Sequence, residues 1–353
     1  MIVVSYGSDY VKNTFDTLAA SDISSYLKAG FAVSIKPNLV VSHPAGEGAT
    51  THPEVVEGLI LFLRDFGVKN IKIIESAWVG DSTKRAFKNC GYEELSRKYD
   101  VPLIDLKSDK STVLKHGGYS IGICDEALNT DFLINVPVLK AHCQTLFTCC
   151  MKNLKGCIPD GEKRRFHTLG IHKPVAALNA LISTGYCLVD GICGDLSYEG
   201  GGSPVVANRI VAGRNPLLVD SFCAELIGYH PDEIEYLAYG KKIGVGEYYS
   251  ADTKLIELNA ENKPYYETKS MRTADRYKSL INEYAACSAC YSSLVYALHR
   301  LGGKVCVDGK IHIGQGFKGK TGDGFGVGNC TSGLARCVAG CPPKATEIID
   351  ALR

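Results

Sequence analysis

The fold class is decided by three consecutive runs of sequence: FAVSIKP at 31–37, PEVVEGLILFLRDF at 53–66 and IKII at 71–74. The first and third runs are short and apolar, which is typical of buried strands. In the second run, apolar residues recur at helical spacing up to Gly67. Pro53 suits the first turn of a helix, because that turn leaves its amide hydrogens unbonded. A helix that links two strands in this way predicts a crossover unit of a parallel sheet.

The same alternation continues along the chain. We predict a helix at 83–99, strands at 103–106 and 132–136, a helix after Pro174, strands at 186–189 and 209–212, and a helix at 217–227. Repeated crossover units predict an α/β fold with a mostly parallel, open sheet flanked by helices. We expect this α/β body to occupy residues 1–280 and a small cysteine-rich module to occupy residues 281–353.

The composition is that of an ordinary globular protein. Of the 353 residues, 45% are hydrophobic and 22% are charged, and the net charge is +1. A charge so close to zero provides no general attraction to nucleic acid or to membrane surfaces. The sequence has no apolar run of about eighteen residues and no basic segment followed by an apolar core near its start. We therefore expect a cytoplasmic protein that binds neither nucleic acid nor membrane.

The cysteines of the tail have the spacing of metal ligands. Fifteen cysteines, an odd number, argue against a disulfide framework in a chain of this length. Cys287 and Cys290 form a C-x-x-C pair, whose two thiolates can reach one metal centre from a single turn, and Cys330 and Cys341 supply a second pair. Proline follows Cys341, as it does at the end of many cluster-binding runs. We predict an iron–sulfur module whose 4Fe–4S cluster is held by these four cysteines.

Other interpretations of the tail stay open. A structural zinc site usually has two short cysteine knuckles, and this tail has one, so the spacing favours iron–sulfur binding. The thiols could also be buried as small hydrophobic groups without a metal. The spacing does not decide whether Cys337 or Cys306 replaces one of the four predicted ligands.

A second group of cysteines lies in the α/β body and comprises Cys143, Cys149, Cys150 and Cys157. Adjacent residues on a helix or a strand point in different directions, which makes joint metal binding by Cys149 and Cys150 awkward. The sequence therefore favours buried thiols over a second metal site.

Residues 314–321, GQGFKGKT, match the Walker A pattern of nucleotide-binding loops. That motif needs a helix after the loop, because the helix N-terminus faces the phosphates. The next residues, GDGFGVGN at 322–329, have glycine at alternate positions, which disfavours a helix. We therefore interpret the loop as close backbone packing around the cluster.

Polar side chains follow three of the predicted strands. Lys36 and Asn38 follow the first strand, Glu75 follows the next, and Lys140 and His142 follow the strand that precedes them. Ligands of open parallel sheets bind at the carboxyl ends of the strands, so these side chains are expected to converge on one crevice. The alternative for each residue taken alone is a solvated lysine or a hydrogen-bonded core histidine.

Three of these polar residues are candidate catalytic groups. His142 is the natural proton-transfer residue, because the ordinary histidine pKa lies near neutrality. Lys140 is placed to stabilise an oxyanion, and Asp190 is predicted at a strand end as a base or an orienting carboxylate. Lys36 and Asn38 are expected to bind an anionic substrate.

A local basic cluster accompanies the crevice, although the whole chain is nearly neutral. Its members are Lys152, Lys155, Lys163, Arg164, Arg165 and His167. Such a cluster can bind a carboxylate, a phosphate or an acidic partner surface, and the alternative is a solvated loop. The cluster is too short and too poor in aromatic residues to indicate nucleic-acid binding. We predict instead that it binds the substrate, through Lys152, Lys155, Arg164, Arg165 and His167.

Several motifs in combination resemble a known family. They are KPNLV at 36–40, THP at 51–53, NVPVLKAH at 135–142, MKNLKGCIP at 151–159, KRRFH at 163–167, VDG at 189–191 and LVDS at 218–221. This stretch is similar to the domain-of-unknown-function family 362. The resemblance implies a cytoplasmic protein of a kind that often carries iron–sulfur clusters, and it leaves the substrate open. Members often end in a compact ferredoxin-type cysteine run, and the wide spacing here departs from that, so a two-cluster electron carrier is not implied.

The leading hypothesis is an iron–sulfur oxidoreductase that acts on a small anionic substrate in the crevice. The sequence shows no convincing dinucleotide fingerprint, so a redox partner protein is expected to exchange the electrons. One alternative is a non-redox lyase or isomerase that uses an iron bound by only three cysteines as a Lewis acid. Another is an electron-transfer protein without a substrate, which does not explain Lys36, Lys140 and His142 together. The oligomeric state is left open.

Overall fold

The computed structural model describes residues 1–264 and 272–353. Its strands are β1 (Ile2–Tyr6), β2 (Ala32–Pro37), β3 (Asn70–Glu75), β4 (Leu103–Asp105), β5 (Ser111–His116), β6 (Tyr119–Cys124), β7 (Phe132–Val136), β8 (Lys140–His142), β9 (Leu146–Thr148), β10 (Thr184–Asp195), β11 (Pro204–Gly213), β12 (Leu255–Leu258), β13 (Ile281–Glu283), β14 (Ile311–Ile313), β15 (Gly322–Val327) and β16 (Leu334–Val338). Its helices are α1 (Tyr10–Ala19), α2 (Pro53–Asp65), α3 (Thr83–Asn89), α4 (Tyr92–Tyr99), α5 (Asp125–Leu128), α6 (Cys150–Asn153), α7 (Asp160–Thr168), α8 (His172–Leu181), α9 (Pro216–Leu226), α10 (Glu235–Lys242), α11 (Ser288–Arg300) and α12 (Ala345–Leu352).

The main sheet has eight strands in the order β12, β1, β11, β10, β7, β2, β3 and β4. Every neighbouring pair is parallel except the two that involve β11. β11 runs antiparallel because it follows β10 as a hairpin, without a helix between them. The sheet confirms the predicted α/β fold with a large, mostly parallel sheet flanked by helices.

Each face of the sheet is covered by its own hydrophobic cluster. Successive side chains of a strand point to opposite faces. Ile73 and Ile134 therefore join the cluster formed with α2, whereas their neighbours Ile74 and Leu133 join the cluster formed with α8 and α9. Strands that are buried on both faces need apolar residues at nearly every position. This requirement explains the continuous apolar runs from which the strands are predicted.

Two predicted elements differ from the structure. The helix predicted at 83–99 is interrupted between α3 and α4 at Gly91, whose φ of +81° does not fit within a helix. The strand predicted at 186–189 is longer, since β10 pairs with β11 as far as Asp195. As a result, Asp190 lies inside a strand and not at its end.

The C-terminal part of the chain forms a second sheet, in which β13, β14, β15 and β16 are all parallel. A third hydrophobic cluster links this sheet with α11 and α12 through residues such as Leu294, Ile311 and Ile348. Cys143 and Tyr198 of the larger α/β part also belong to this cluster, so the two parts pack against each other. The division at residue 280 stays a prediction.

The glycine loop at 314–321 leads into strand β15, so no helix follows it. This outcome agrees with the prediction from the glycine spacing. Gly314 has a φ of +122°, and a Cβ atom there would lie 2.1 Å from the carbonyl oxygen of Tyr284. The loop therefore packs directly against the backbone that precedes Cys287.

Within the described ranges, none of the helices has both the length and the apolar character needed to cross a lipid bilayer.

Candidate functional site

A cavity of about 120 Å³ lies at the carboxyl ends of β2 and β3, between the α/β sheet and the cysteine tail. The predicted site residues that line it are Lys36, Asn38, Lys140, His142, Lys152, Lys155, Arg164, His167, Cys287, Cys290 and Cys341. The structure thus brings most of the candidate substrate-binding residues together with three of the four candidate cluster ligands. Asp190, Arg165 and Cys330 are not in the lining.

A buried ion pair forms the floor of the cavity. The Lys36 ammonium donates to Glu75 Oε1 and Oε2 at 3.0 and 3.1 Å, to the carbonyl oxygen of Pro37 at 2.9 Å and to Asn153 Oδ1 at 3.3 Å. Both members of the pair are almost fully buried. Gly156 makes room for them, because a Cβ atom there would lie 2.3 Å from Glu75 Oε1. Protein acceptors therefore already engage the Lys36 ammonium, which was predicted to bind substrate. Lys36 acts as a structural residue of the cavity floor.

His142 is held as a neutral hydrogen-bond donor. Its Nδ1 accepts from the backbone amides of Gln144 and Thr145 at 3.1 and 3.3 Å, which places the ring proton on Nε2. Burial, reinforced by the charge of Lys152, lowers the pKa of His142 well below its usual range. The expectation of a histidine that titrates near neutrality is therefore corrected, because protonation would require Nδ1 to give up two amide hydrogen bonds.

Glu199 is a cavity residue that the sequence does not indicate. It follows β10, and its Oε1 lies 3.6 Å from His142 Nε2. Its Oε2 accepts from the backbone amide of Cys143 at 3.1 Å. Glu199 is 3% exposed, so it is a buried carboxylate beside the cavity histidine. No motif surrounds it, and only the long hairpin from β10 to β11 brings it to this position.

Two further lysines of the cavity wall are held by hydrogen bonds to backbone carbonyl oxygens. Lys140 Nζ donates to the carbonyl oxygens of Ala49 at 2.6 Å and Glu199 at 2.9 Å, and desolvation lowers its pKa to about 8. Lys163 Nζ donates to the carbonyl oxygens of Ser76 at 3.1 Å and Ala77 at 2.8 Å. Because these ammonium groups hold the surrounding loops, they shape the cavity and add positive charge to it.

Lys152 and Lys155 differ from the other cavity lysines, because their ammonium groups have few protein acceptors. Lys155 Nζ lies 3.2 Å from His167 Nε2. No hydrogen bond or ion pair to another described residue engages Lys152 Nζ. Desolvation lowers the pKa of Lys152 to about 7 and that of Lys155 well below its usual range. A bound anion would offset this desolvation and stabilise the charged forms.

The segment that carries Lys152 is fixed by buried polar contacts. Asp220 accepts from the backbone amides of Cys150 at 2.7 Å and Met151 at 2.9 Å, which satisfies two of the unbonded amides at the start of α6. Asn135 of β7 donates to the carbonyl oxygen of Cys150 and accepts from Asn153 Nδ2, both at 2.8 Å. These contacts tie α6 to the sheet, and with it the position of the cavity lysine.

The four predicted cluster ligands lie near one another. Cys287 and Cys290 begin α11, and burial followed by the charges of Cys287, Cys341 and Cys330 raises the pKa of Cys290 to about 12. The C-x-x-C turn is tied to the α/β part, because Ser288 Oγ donates to Gln144 Oε1 at 2.9 Å. This contact explains why the two thiols line the cavity.

The tail sulfurs are spaced too widely for a single zinc ion. Tetrahedral zinc, with Zn–S bonds of about 2.3 Å, holds its sulfurs about 3.8 Å apart. Among residues 1–264 and 272–353, no three ligand atoms of the tail cysteines lie within 4.8 Å of one another.

The two alternative ligands occupy other surroundings. The Cys337 sulfur lies 3.3 Å from Thr331 Oγ1 and 3.5 Å from the carbonyl oxygen of Gly328. Cys306 is exposed, and its backbone amide donates to Leu352 at the end of α12. Neither Cys306 nor Cys337 lines the cavity, but Cys330 does not line it either, so the identity of the fourth ligand stays a prediction.

Two predicted site residues have other roles in the structure. The Asp190 carboxylate accepts from the backbone amide of His52 at 2.8 Å, contacts His52 Nδ1 at 2.8 Å and accepts from the amide of Ile192 at 3.0 Å. The Arg165 guanidinium donates to the carbonyl oxygen of Ser120 and to Glu162, both at 2.8 Å. Asp190 is fully buried in β10 and Arg165 turns away from the cavity, so both act on the scaffold.

The cysteines of the α/β body also differ from expectation. The sulfur atoms of Cys149 and Cys150 lie 3.8 Å apart, and together with a carboxylate oxygen of Asp220 they form a group that could hold a metal ion. The expectation that adjacent cysteines diverge assumed one regular element. Here Cys149 is extended and Cys150 begins α6, so both side chains reach one place.

Comparison with known proteins identifies the family. The family described as domain of unknown function (DUF362) matches residues 33–225, more than half of the chain. The chain belongs to the DUF362 family. This result confirms the resemblance seen in the sequence motifs, and the match includes every predicted site residue of the α/β part.

Similarity to individual proteins is lower. The thylakoid-associated protein sll1697 of Synechocystis sp. is 24% identical over 233 residues, which are 63% of this chain and 71% of that protein. The lactate racemase apoprotein from Thermoanaerobacterium thermosaccharolyticum aligns with a TM-score of 0.45 and 13% identity, over 66% of this chain and 57% of that one. A protein from Thermotoga maritima aligns with a TM-score of 0.36 and 13% identity, over 52% and 51% of the two chains. This chain thus spans little more than half of either solved structure.

The buried ion pair gives a prediction about stability. Replacing Glu75→Ala leaves the Lys36 ammonium buried without its carboxylate, so the free energy of unfolding should fall by about 3–5 kcal/mol. Urea denaturation followed by circular dichroism measures the change. Lys98→Met, which removes an exposed ion pair with Glu57, is the matched control and should alter stability little. Equal stability of Glu75→Ala and the native protein would contradict the role given to this pair.

The state of His142 can be measured directly. In nitrogen-15 NMR spectra, its ring should stay neutral with the proton on Nε2 as the pH falls from 8 to 5.5. In the urea-unfolded chain it should titrate near the ordinary value of about 6.5. The pKa of His142 is lower in the folded chain than in the unfolded chain, so the unfolded chain binds more protons in acid. The neutral His142 therefore stabilises the fold above about pH 6.5, and this stabilisation is lost as the pH falls from about 6.5 toward the folded-state pKa. A folded-state titration near pH 6.5 would refute the neutral assignment.

Proposed function

We propose that this protein is an iron–sulfur oxidoreductase that acts on a small anionic substrate in the cavity and exchanges electrons through a 4Fe–4S cluster bound by Cys287, Cys290, Cys330 and Cys341. One observation carries the proposal. Cys287, Cys290 and Cys341 line the same cavity as Lys152 and Lys155. A cluster held there would adjoin the bound substrate, and it would supply one electron at a time.

The donor set of the tail fits such a cluster. Four thiols interact electrostatically with one another, and their spacing exceeds that of a single tetrahedral ion. Gly328 packs close to the site, because a Cβ atom there would lie 3.7 Å from the Cys290 sulfur. Burial and the charges of Cys330 and Cys341 raise the pKa of Cys287, whereas Lys155 and Arg164 act in the opposite direction and favour the thiolate form that binds iron.

The opposite wall recognises the substrate. Lys152, Lys155 and Arg164 provide positive charge, and His142 provides a neutral Nε2–H donor. The cationic lining suits an acid or an oxyanion as the substrate. In this desolvated space each ionic hydrogen bond is stronger than it would be in water. Lys152 Nζ, which no described residue engages, is the best-placed group to give a proton to the substrate.

A non-redox lyase or isomerase is a second candidate, and the position of the cysteines limits it. This chemistry needs an iron atom without a cysteine ligand on the cavity side. Cys341 is exposed and lines the cavity, so its absence from the ligand set would create such an iron. Of the three cysteines that line the cavity, Cys341 is the exposed one, so the second candidate is argued for Cys341.

The cluster assignment is tested by metal analysis of anaerobically purified protein. We expect about four iron atoms and four acid-labile sulfides per chain. Changing Cys287, Cys290 or Cys330 to Ser should remove most of both, whereas the matched controls Cys306→Ser and Cys337→Ser should keep them. A Cys341→Ser protein that keeps the iron and sulfide content of the native protein would support the second candidate, because Cys341 would then not be a ligand. Protein without sulfide would refute the cluster.

The substrate site is tested by anion binding to the same holoprotein. A panel of two- to four-carbon carboxylates and inorganic oxyanions should include members that alter the electron paramagnetic resonance spectrum of the reduced cluster. Lys152→Met should weaken their binding by roughly tenfold to a hundredfold, the value expected for one charged hydrogen bond. Lys88→Met, on the surface helix α3, is the control and should leave affinity unchanged. If no anion perturbs the spectrum, the proposed substrate class is wrong.

The pH dependence of anion binding follows from Lys140. Its pKa of about 8 means that the cavity loses positive charge as the pH rises from 7 to 9. Anion affinity should therefore fall over this interval, and calorimetric titration at several pH values measures it. Affinity that is constant or rises with pH would show that this charge does not act on the ligand.

A further inference from the structure

A group of thiols and one carboxylate is fully buried beneath the cavity, and the proposed reaction does not use it. Cys149 and Cys150 lie at the start of α6, Cys187 lies in β10, and Asp220 and Cys223 lie in α9. All five have zero exposure. Three segments distant in sequence therefore bring sulfur and oxygen donors to one place in the core.

The donor atoms have the spacing of metal ligands. The Cys149 and Cys150 sulfurs are 3.8 Å apart, and with an Asp220 oxygen all the ligand atoms lie within 4.8 Å of one another. Two sulfurs bound to tetrahedral zinc, with bonds of about 2.3 Å, are separated by about 3.8 Å. The described tail cysteines, by contrast, include no three ligand atoms within 4.8 Å of one another. The two groups of cysteines thus suit different cofactors.

Further donors lie beside this group. The thiols of Cys223 and Cys187 interact with those of Cys149 and Cys150 respectively, although neither lies within 4.8 Å of all three ligand atoms. Cys223, which is on the same helix as Asp220, is the candidate for a fourth position. Each oxygen of Asp220 accepts one backbone amide, which leaves a further lone pair on each. The set of thiolates with one carboxylate suits a borderline-soft divalent ion such as zinc.

Charge favours an ion at this position over packed thiols alone. A carboxylate buried among thiols is destabilised unless charged or polar partners compensate for its lost hydration. Three thiolates and one carboxylate around a divalent cation carry a net charge of −2. The guanidinium of Arg209, which is 6% exposed, interacts electrostatically with Cys223 and offsets part of that charge. Two backbone amides already compensate part of the lost hydration of Asp220, and a bound cation would compensate the rest.

We propose that Cys149, Cys150, Asp220 and Cys223 bind one zinc ion, which forms a structural metal site separate from the tail cluster. The ion would be taken up during folding, because the site is closed to solvent afterwards. It would clamp the start of α6 to α9 and thereby hold Lys152 and Asn153 at the cavity. This proposal does not depend on the redox function or on the iron–sulfur cluster.

The test is a count of zinc in the full-length holoprotein, produced with zinc in the medium and measured by mass spectrometry of the elements. The native chain should hold about one zinc per chain. Cys149→Ser and Asp220→Asn should lower zinc at least tenfold while iron and sulfide stay unchanged. Cys157→Ser is the matched control, since Cys157 is equally buried in the same core and outside the group, and it should keep the zinc.

A variant that fails to fold would lose zinc for a trivial reason. X-ray absorption at the zinc edge of the native protein tests the proposal without any variant. The proposal expects sulfur ligands at about 2.3 Å together with an oxygen ligand at about 2.0–2.2 Å. Native protein without zinc would overturn it, and so would zinc bound by four sulfurs and released by changes in the tail. A disulfide between Cys149 and Cys150, detected as a two-dalton loss of mass, would also overturn it.

Discussion

The buried ion pair between Lys36 and Glu75 is the contact on which the rest of the site depends. It joins the ends of β2 and β3, where the parallel sheet opens toward the tail. The same ammonium binds Asn153, which links it to α6, and Gly156 lets the next turn approach. A buried pair is tolerated only when further hydrogen bonds satisfy its remaining donors and acceptors. Here the backbone amides of Leu39 and Ser76 complete the shell of Glu75, so the pair also orders both strand ends.

The arrangement of charge around this pair explains the character of the cavity. Lys36, Lys140 and Lys163 donate hydrogen bonds to carbonyl oxygens or carboxylates of the cavity wall. These three lysines therefore fix the shape of the cavity. Lys152 and Lys155 lie in the same desolvated space with few acceptors, and desolvation lowers the pKa of both, so a bound anion would stabilise their charged forms. The tail closes this space with thiols. The cavity is lined by basic side chains of the α/β part and by thiols of the tail, a combination that neither part provides alone.

Much of this organisation can be predicted from the sequence, because it depends on the local pattern of apolar, polar, glycine and cysteine residues. Apolar runs between helical segments predict the sheet, and polar residues after strands predict where the cavity lies. The C-x-x-C pair and the distant Cys330 and Cys341 predict ligands whose thiols lie near one another in the structure. The failure of the Walker-like loop to form a helix follows from glycine spacing alone.

The remaining features depend on contacts between distant segments, which local pattern does not encode. Glu199 reaches His142 only because the β10–β11 hairpin is long, and the same hairpin places Asp190 inside a strand. The neutrality of His142 results from two backbone amides and from burial, neither of which its neighbours in sequence reveal. Cys149 and Cys150 converge because α6 begins between them. In each case the tertiary environment overrides the ordinary behaviour of the residue type.

The central claim is that the metal centre and the anion site share one cavity. Anomalous X-ray diffraction at the iron edge, from crystals of anaerobically purified protein, tests it most directly. The account predicts a strong iron signal at the cavity wall formed by Cys287, Cys290 and Cys341, within reach of Cys330. Iron located away from this wall, or no iron in crystals of the intact protein, would contradict it.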